Sequence, residues 1–217
     1  MRLILIVVPA AILLTGLLYF EKRGNLKGNL PTKTLLSSLF IVVILIQPHL
    51  IYRYYQFLLA GLIFCLAGDV CLAVPGNKWF LAGLVSFLLG HLFYIFAFFY
   101  VAAPGLWSAA GATIFFFIST GIYFHLKPHL GSMNIPVLFY VVVITVMLSV
   151  AWSVLVDSGF ALPGRVMVFS GALLFYVSDL FVARNRFLKK EFFNRLMGLP
   201  LYYSGQFILA FSVGVLQ

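Results

Sequence analysis

Residues 79–101 read WFLAGLVSFLLGHLFYIFAFFYV, twenty-three positions without a single Asp, Glu, Lys or Arg. About 20 apolar residues suffice to cross the hydrocarbon layer of a bilayer as a helix, so this stretch predicts a transmembrane span. The same signature recurs on either side of it. Spans are read at 3–20, 34–47, 54–74, 79–101, 107–125, 135–156, 166–183 and 199–216. Between them lie EKRGNLKGNLPTK, QPHLIYR, VPGNK, AAPG, HLKPHLGSMNIP, DSGFALPGR and RNRFLKKEFFNRL, where Pro, Gly and charge mark breaks. The fold class that follows is all-α: a polytopic membrane protein of about eight transmembrane helices, forming a single transmembrane domain over residues 1–217.

Composition excludes the other classes. The chain is 64% hydrophobic and only 9% charged, against about 25% charged in an ordinary soluble domain. A water-facing surface cannot be built from it, nor a disordered or collagen-like chain. Cys65 and Cys71 are the only cysteines and share one apolar run, which argues against a disulfide scaffold. The net charge of +9 would suggest nucleic acid in a soluble protein; here it reports topology, and no nucleic-acid partner is expected. Lys22, Arg23, Lys27, Lys33, Lys78, Lys127, Arg184, Arg186, Lys189, Lys190 and Arg195 follow spans 1, 3, 5 and 7, whereas Arg2, Arg53 and Arg165 fall on the opposite side. The positive-inside rule then places the odd-numbered loops in the cytoplasm and both termini outside. Short loops suit a bacterial inner membrane. Arg2 and the first apolar run look like a signal peptide, but no A-x-A site follows, and Glu21-Lys22-Arg23 reads as a stop-transfer flank. The first span is expected to be retained.

Residues 60–73, AGLIFCLAGDVCLA, and 170–183, SGALLFYVSDLFVA, match at Gly61/Gly171, Asp69/Asp179 and Ala73/Ala183 with identical spacing. A small residue, Gly68 or Ser178, precedes each Asp. The two segments are four spans apart and so cross in the same direction. This predicts a parallel 4+4 internal repeat, with halves 1–104 and 105–217 and a seam near Pro104-Gly105. Of the five acids, only Asp69 and Asp179 lie inside spans, each about 7–8 Å from the cytoplasmic end at 1.5 Å per residue. A carboxyl group in a span is costly unless it is paired, protonated or facing the bundle interior, and is a functional candidate by default. The plainer role is a salt bridge to Arg184 or Lys78 that fixes helix packing. Two carboxyls in one cavity can also divide into an acid and a base, which suits acid–base hydrolysis.

Other polar side chains fall within spans. Gly83, Phe87, Gly90, His91 and Tyr94 share one face of the fourth, so His91 and Tyr94 would line whatever lies beyond the glycines. Tyr202 and Gln206 share a face of the eighth. Lys33 opens the second, as a snorkelling lysine or a phosphate ligand. Arg184 and Arg186 end the seventh, where cations suit the helix dipole. His49, His125 and His129 show no zinc-ligand spacing, and no G-x-S-x-G elbow or glycine-rich phosphate loop occurs. Neither a metal nor another cofactor is expected.

The chain resembles the YhhN-type integral membrane proteins, whose characterised members are lysoplasmalogenases. The resemblance runs over nearly the whole chain. It is carried by Gly68-Asp69, by FLAGLVSFLLGHLFY from Phe80 to Tyr94, and by Tyr140 and Met147. Gly171-Ala172, Ser178-Asp179, Asn185 and Tyr202-Tyr203-Ser204-Gly205-Gln206 complete it. It implies eight spans and hydrolysis of the vinyl ether bond of a lysoplasmalogen, giving a fatty aldehyde and a glycerophospho-ethanolamine or -choline. Asp69 and Asp179 are then the essential pair, without a metal. A vinyl ether hydrolyses by protonation at its β-carbon, giving an oxocarbenium ion that water captures. One protonated acid is needed, and one carboxylate to stabilise the cation, as in paired-carboxylate glycosidases. The pattern does not divide these roles between the two. Ser178, Asn185, Tyr202 and Gln206 are candidates to orient water or substrate oxygens, and Lys33 and Lys78 to hold the phosphate near the cytoplasmic leaflet. The expected partner is a lysophospholipid within the membrane. The alternative from another class is a proton- or cation-coupled transporter using the same Asp pair, although neither Asp segment contains a proline or other helix break.

Overall fold

The computed structural model describes residues 4–103 and 105–216. Arg2, counted above for topology, and Pro104, at the expected seam, lie outside them. Eight helices follow one another: α1 (Ile4–Arg23), α2 (Leu26–Ile46), α3 (Tyr52–Ala73), α4 (Asn77–Val101), α5 (Leu106–Leu126), α6 (Asn134–Val156), α7 (Leu162–Ala183) and α8 (Phe192–Ser212). Two 3₁₀ turns, Lys127–His129 and Gly131–Met133, join α5 to α6. A π-helical turn, Arg184–Leu188, extends α7. Among the described residues, α1 to α7 are each long and apolar enough to cross a membrane. The protein is a multi-pass membrane protein.

Two helices begin well before their expected starts. α2 starts at Leu26 rather than near residue 34, and α8 at Phe192 rather than 199. Pro31 and the charged run from Arg184 to Leu196 suggested breaks, but Pro31 sits inside α2, as Pro200 does inside α8. The proline there forgoes one backbone hydrogen bond, and local contacts hold the early turns regardless. Gly24, at φ +63°, reverses the chain after α1. The Asn25 side chain then accepts from the Gly28 N–H at 3.2 Å and caps α2. In α8, the buried Asn194 donates to Asn185 Oδ1 at 3.2 Å and to the Lys189 carbonyl at 2.7 Å, and Arg184 donates to its Oδ1. These bonds anchor the first turn to the end of α7.

α3 packs most extensively on α4, and α7 on α8. Glycines make the close approach possible. A Cβ on Gly61 would stand 3.0 Å from the Gly90 carbonyl, and one on Gly171 would stand 3.0 Å from the Gly205 carbonyl. Small residues at a helix crossing are what let membrane helices touch backbone to backbone. α2 lies against α3 and α8, while α6 lies against α4, α5 and α7. The six helices α2, α3, α4, α6, α7 and α8 thereby enclose a common interior, with α1 and α5 on its flanks. At its centre, Phe87, Tyr94, Phe175 and Tyr202 pack edge to face, with ring centroids 5.2–6.3 Å apart. Ile12, Trp107, Phe117 and Ile135 point outward. Such an apolar exterior would drive aggregation in water and is covered by lipid in a bilayer.

Candidate active site

Asp69 lies four residues before the end of α3, about 6 Å along the axis, and is 1% exposed. α2 presents Lys33 and Ser37 to it, one turn apart on the same face. Lys33 Nζ stands 3.1 Å from Asp69 Oδ1. Ser37 Oγ donates to Oδ2 at 2.6 Å, and Tyr202 Oη, from α8, donates to the same oxygen at 2.7 Å. Tyr203 Oη lies 3.2 Å from Ser37 Oγ and extends the network. An ionised carboxylate only accepts hydrogen bonds, and three donors, one of them charged, converge on this one. Buried charge is tolerated when it is paired and hydrogen-bonded in this way.

Asp179 lies four residues before the end of α7, and its surroundings are sparser. Tyr140 Oη, from α6, donates to Oδ2 at 2.6 Å. His91 Nε2 is 3.9 Å from the same oxygen, too far for a direct hydrogen bond. Among the described residues Oδ1 has no hydrogen-bond partner, and the side chain is 17% exposed, against 2% for Asp69. Both aspartates line one cavity of about 100 Å³, with Lys33, Tyr140, Ser178 and Tyr202 among its polar residues and Ser119, Tyr176, Asn194 and Arg195 supplying the others. The remaining wall is apolar, from residues such as Leu84, Phe87, Val137 and Ile144. The space holds several waters or the reacting end of a lipid chain.

His91, Tyr94 and Gln206 form a buried layer behind the cavity. Tyr94 donates to Gln206 Oε1 at 2.6 Å and receives a weak bond from Cys65 Sγ at 3.6 Å. Both ring nitrogens of His91 and Nε2 of Gln206 lack a partner among the described residues. A second cavity, of about 910 Å³, lies at the Lys/Arg-rich end of the bundle. It shares Leu72, Phe80, Val182, Phe187 and Arg195 with the first, so the two adjoin. At its rim, hydrogen bonds and charge from Lys189 and Arg184 hold the Glu191 carboxyl below the usual range.

Asp69, Asp179, Lys33, Ser178 and Tyr202 therefore meet at one cavity, and His91, Tyr94 and Gln206 stand next to it. Lys78 is exposed at the start of α4 and lines neither cavity. Asn185 lines the outer cavity, where its Oδ1 accepts from the Glu191 N–H at 3.3 Å and from Asn194. Sequence reasoning passed over Ser37, and gave Tyr140 and Tyr203 no role beyond the resemblance. Ser37 had one available signal, its i, i+4 spacing from Lys33.

A model of the YhhN family matches residues 29–213, a span that contains both aspartates and every side chain bonded to them. The chain belongs to the YhhN family. Among curated proteins, it is 32% identical over 162 residues to a Mycobacterium bovis protein named lysoplasmalogenase, covering 72% of this chain and 58% of that protein. It is 34% identical over 163 residues to the rat lysoplasmalogenase TMEM86B, covering 73% of this chain and 62% of the relative. For the human lysoplasmalogenase TMEM86A the figures are 31% over 161 residues, 70% and 62%. This YhhN-family chain thus spans less than two thirds of the length of these relatives. No solved structure matches it.

Proposed function

We propose that this YhhN-family chain is a lysoplasmalogenase, a hydrolase acting on the vinyl ether bond of a lysophospholipid within the membrane. The products are a fatty aldehyde and a glycerophospho-ethanolamine or -choline. One observation carries the reading: two aspartates inside spans line a single cavity, one saturated with donors and the other with an oxygen that has no partner among the described residues. The names of the similar proteins support it.

The roles follow from the surroundings. Asp179, with Oδ1 unpartnered among the described residues, is the proton donor. It protonates the vinyl β-carbon, and the double-bond electrons form the new C–H bond, leaving an oxocarbenium ion. Asp69 stays a carboxylate, held by Lys33, Ser37 and Tyr202, and stabilises that cation across the cavity. Water adds to the cationic carbon and gives up a proton that restores the protonated Asp179. The resulting hemiacetal breaks its bond to the glycerol oxygen and releases aldehyde and alcohol. His91, 3.9 Å from Asp179, and Gln206, in the layer behind the cavity, have nitrogens without a partner among the described residues and are positioning residues for the water. Tyr140 orients Asp179. The basic end of the bundle is assigned to the cytoplasm by the positive-inside rule, which puts the cavity near that leaflet and both termini outside; cysteine labelling from either face tests this.

Hydrolysis in D₂O tests the chemistry. Protonation at carbon places one deuterium on carbon 2 of the released aldehyde and slows turnover. Capture of water by the oxocarbenium carbon leaves the glycerol oxygen in place, so ¹⁸O from labelled water found in the released glycerol hydroxyl, as substitution at the glycerol carbon would give, would remove the mechanism.

A further inference from the structure

The outer cavity has a charge pattern that the reaction centre does not explain. Its lining carries five Lys or Arg against two Glu. Glu191 is already committed to Lys189 and Arg184. Glu21 and Arg195 are the loose pair: Arg195 Nε stands 3.5 Å from Glu21 Oε2, with the side chains 27% and 17% exposed. Among the described residues, Glu21 is the one ion-pair partner of Arg195, and its terminal guanidinium nitrogens form no hydrogen bond. Arg195 also lines the inner cavity, so it stands where the two spaces join.

The register between α7 and α8 sets its height. A Cβ on Gly198 would lie 3.6 Å from the Ser178 carbonyl, so Gly198 is level with the residue before Asp179. Arg195 is three residues nearer the basic end, about 4.5 Å along the axis. That step is comparable with the glycerol backbone that separates a vinyl ether from its phosphate. Lys33 cannot serve the phosphate in the same way, because its ammonium is held by Asp69. Lys78 is outside both cavities.

We infer that Arg195 and Glu21 form the headgroup seat for a zwitterionic phosphodiester lipid. The guanidinium fork takes the phosphate oxygens, and Glu21 takes the ammonium at the far end. A zwitterion carries the same two charges as the pair it enters, so each partner is exchanged and neither Arg195 nor Glu21 is left unpaired. An anionic headgroup without the ammonium would satisfy Arg195 but strand Glu21. The inference rests on the lysoplasmalogenase reading for its lipid and goes beyond it in naming the residues that select the headgroup.

The test is equilibrium binding to the purified full chain in detergent, using lipids whose saturated ether cannot be hydrolysed. The probes are 1-alkyl lysophosphoethanolamine, 1-alkyl lysophosphatidate and 1-alkylglycerol, with glycerophosphoethanolamine and inorganic phosphate as chainless probes. Arg195→Gln is expected to weaken lysophosphoethanolamine about tenfold, equivalent to ~1.4 kcal/mol, and to leave alkylglycerol unchanged. Arg195→Lys, which keeps the charge and loses the fork, should fall in between and serves if the Gln variant does not fold. Glu21→Gln should weaken lysophosphoethanolamine and spare lysophosphatidate. Unchanged binding in these variants, or an equal loss for alkylglycerol, overturns the inference. So does wild-type protein that fails to bind lysophosphoethanolamine, or that binds inorganic phosphate or glycerophosphoethanolamine as tightly as the lipid. Aldehyde release is measured separately on a lysoplasmalogen. Arg195-dependent binding without hydrolysis keeps the headgroup seat and removes the lysoplasmalogenase reading; hydrolysis with Arg195-independent binding does the reverse.

Discussion

Asp69 and Asp179 sit at matching positions in two similar helices, yet their neighbours differ in kind. Lys33, Ser37 and Tyr202 saturate Asp69, whereas among the described residues Tyr140 alone donates to Asp179. This difference predicts unequal mutants. Asp69→Asn leaves Lys33 buried without a counter-charge, and breaking a buried pair from one side costs about 3–5 kcal/mol. The melting temperature should fall sharply and recover in Asp69→Asn/Lys33→Met, while activity stays lost in both. Asp179→Asn should melt near wild type and be inactive. A double variant that regains activity along with its melting temperature would reduce Asp69 to a structural role. The aspartates were legible because a carboxyl group in an apolar span is conspicuous by itself. Ser37 was not, and Tyr203 was one letter of a motif without a role: a neutral hydroxyl gains its role only from a partner on another helix. Lys33 was noticed, but the pattern placed it at the mouth of α2 rather than a third of the way along it.

At the scale of helices, apolar runs located all eight, and the ends of α2 and α8 were displaced for one physical reason. Charge before both spans, with Pro31 at α2, weighs heavily in a local reading, while the cap at Asn25 and the anchor at Asn194 depend on contacts that spacing alone does not reveal. The glycine pairs make the helix contacts testable. A Cβ on Gly205 would stand 2.8 Å from the Gly171 carbonyl and 3.2 Å from the Phe175 nitrogen, so backbone must move. Gly205→Ala should cost about 1–3 kcal/mol, the usual range for overpacking, and lower activity by shifting Tyr202 and Gln206. Gly121, with nothing within 4 Å of its Cβ, is the control, and Gly121→Ala should melt at or above wild type. Equal melting of the two variants would mean that α7 and α8 are not in backbone contact.

For the molecule as a whole, each main contact of the first four helices has a counterpart in the last four: α3 with α4 as α7 with α8, and α2 with α8 as α6 with α4. Gly83, Phe87, Gly90 and His91 in α4 stand in register with Gly198, Tyr202, Gly205 and Gln206 in α8. We read this as the parallel 4+4 duplication expected from the two Asp segments. In an experimental structure, residues 105–216 should superpose on 4–103 with Asp179 over Asp69; helices that overlay in another order would refute it. On this reading the cavity forms where the halves meet, each giving one aspartate, and divergence of the surrounding residues gives the two carboxyls different roles. The measurement that bears most directly on that claim is aldehyde release from a defined lysoplasmalogen by the purified protein, with Asp179→Asn and Asp69→Asn/Lys33→Met alongside. The account predicts one aldehyde per lipid consumed by wild type, and a loss of about 10²–10⁴-fold in the well-folded Asp179→Asn protein, the range for removing a general acid. No aldehyde from folded wild type on either ethanolamine or choline substrate, or an undiminished rate in Asp179→Asn, would contradict it.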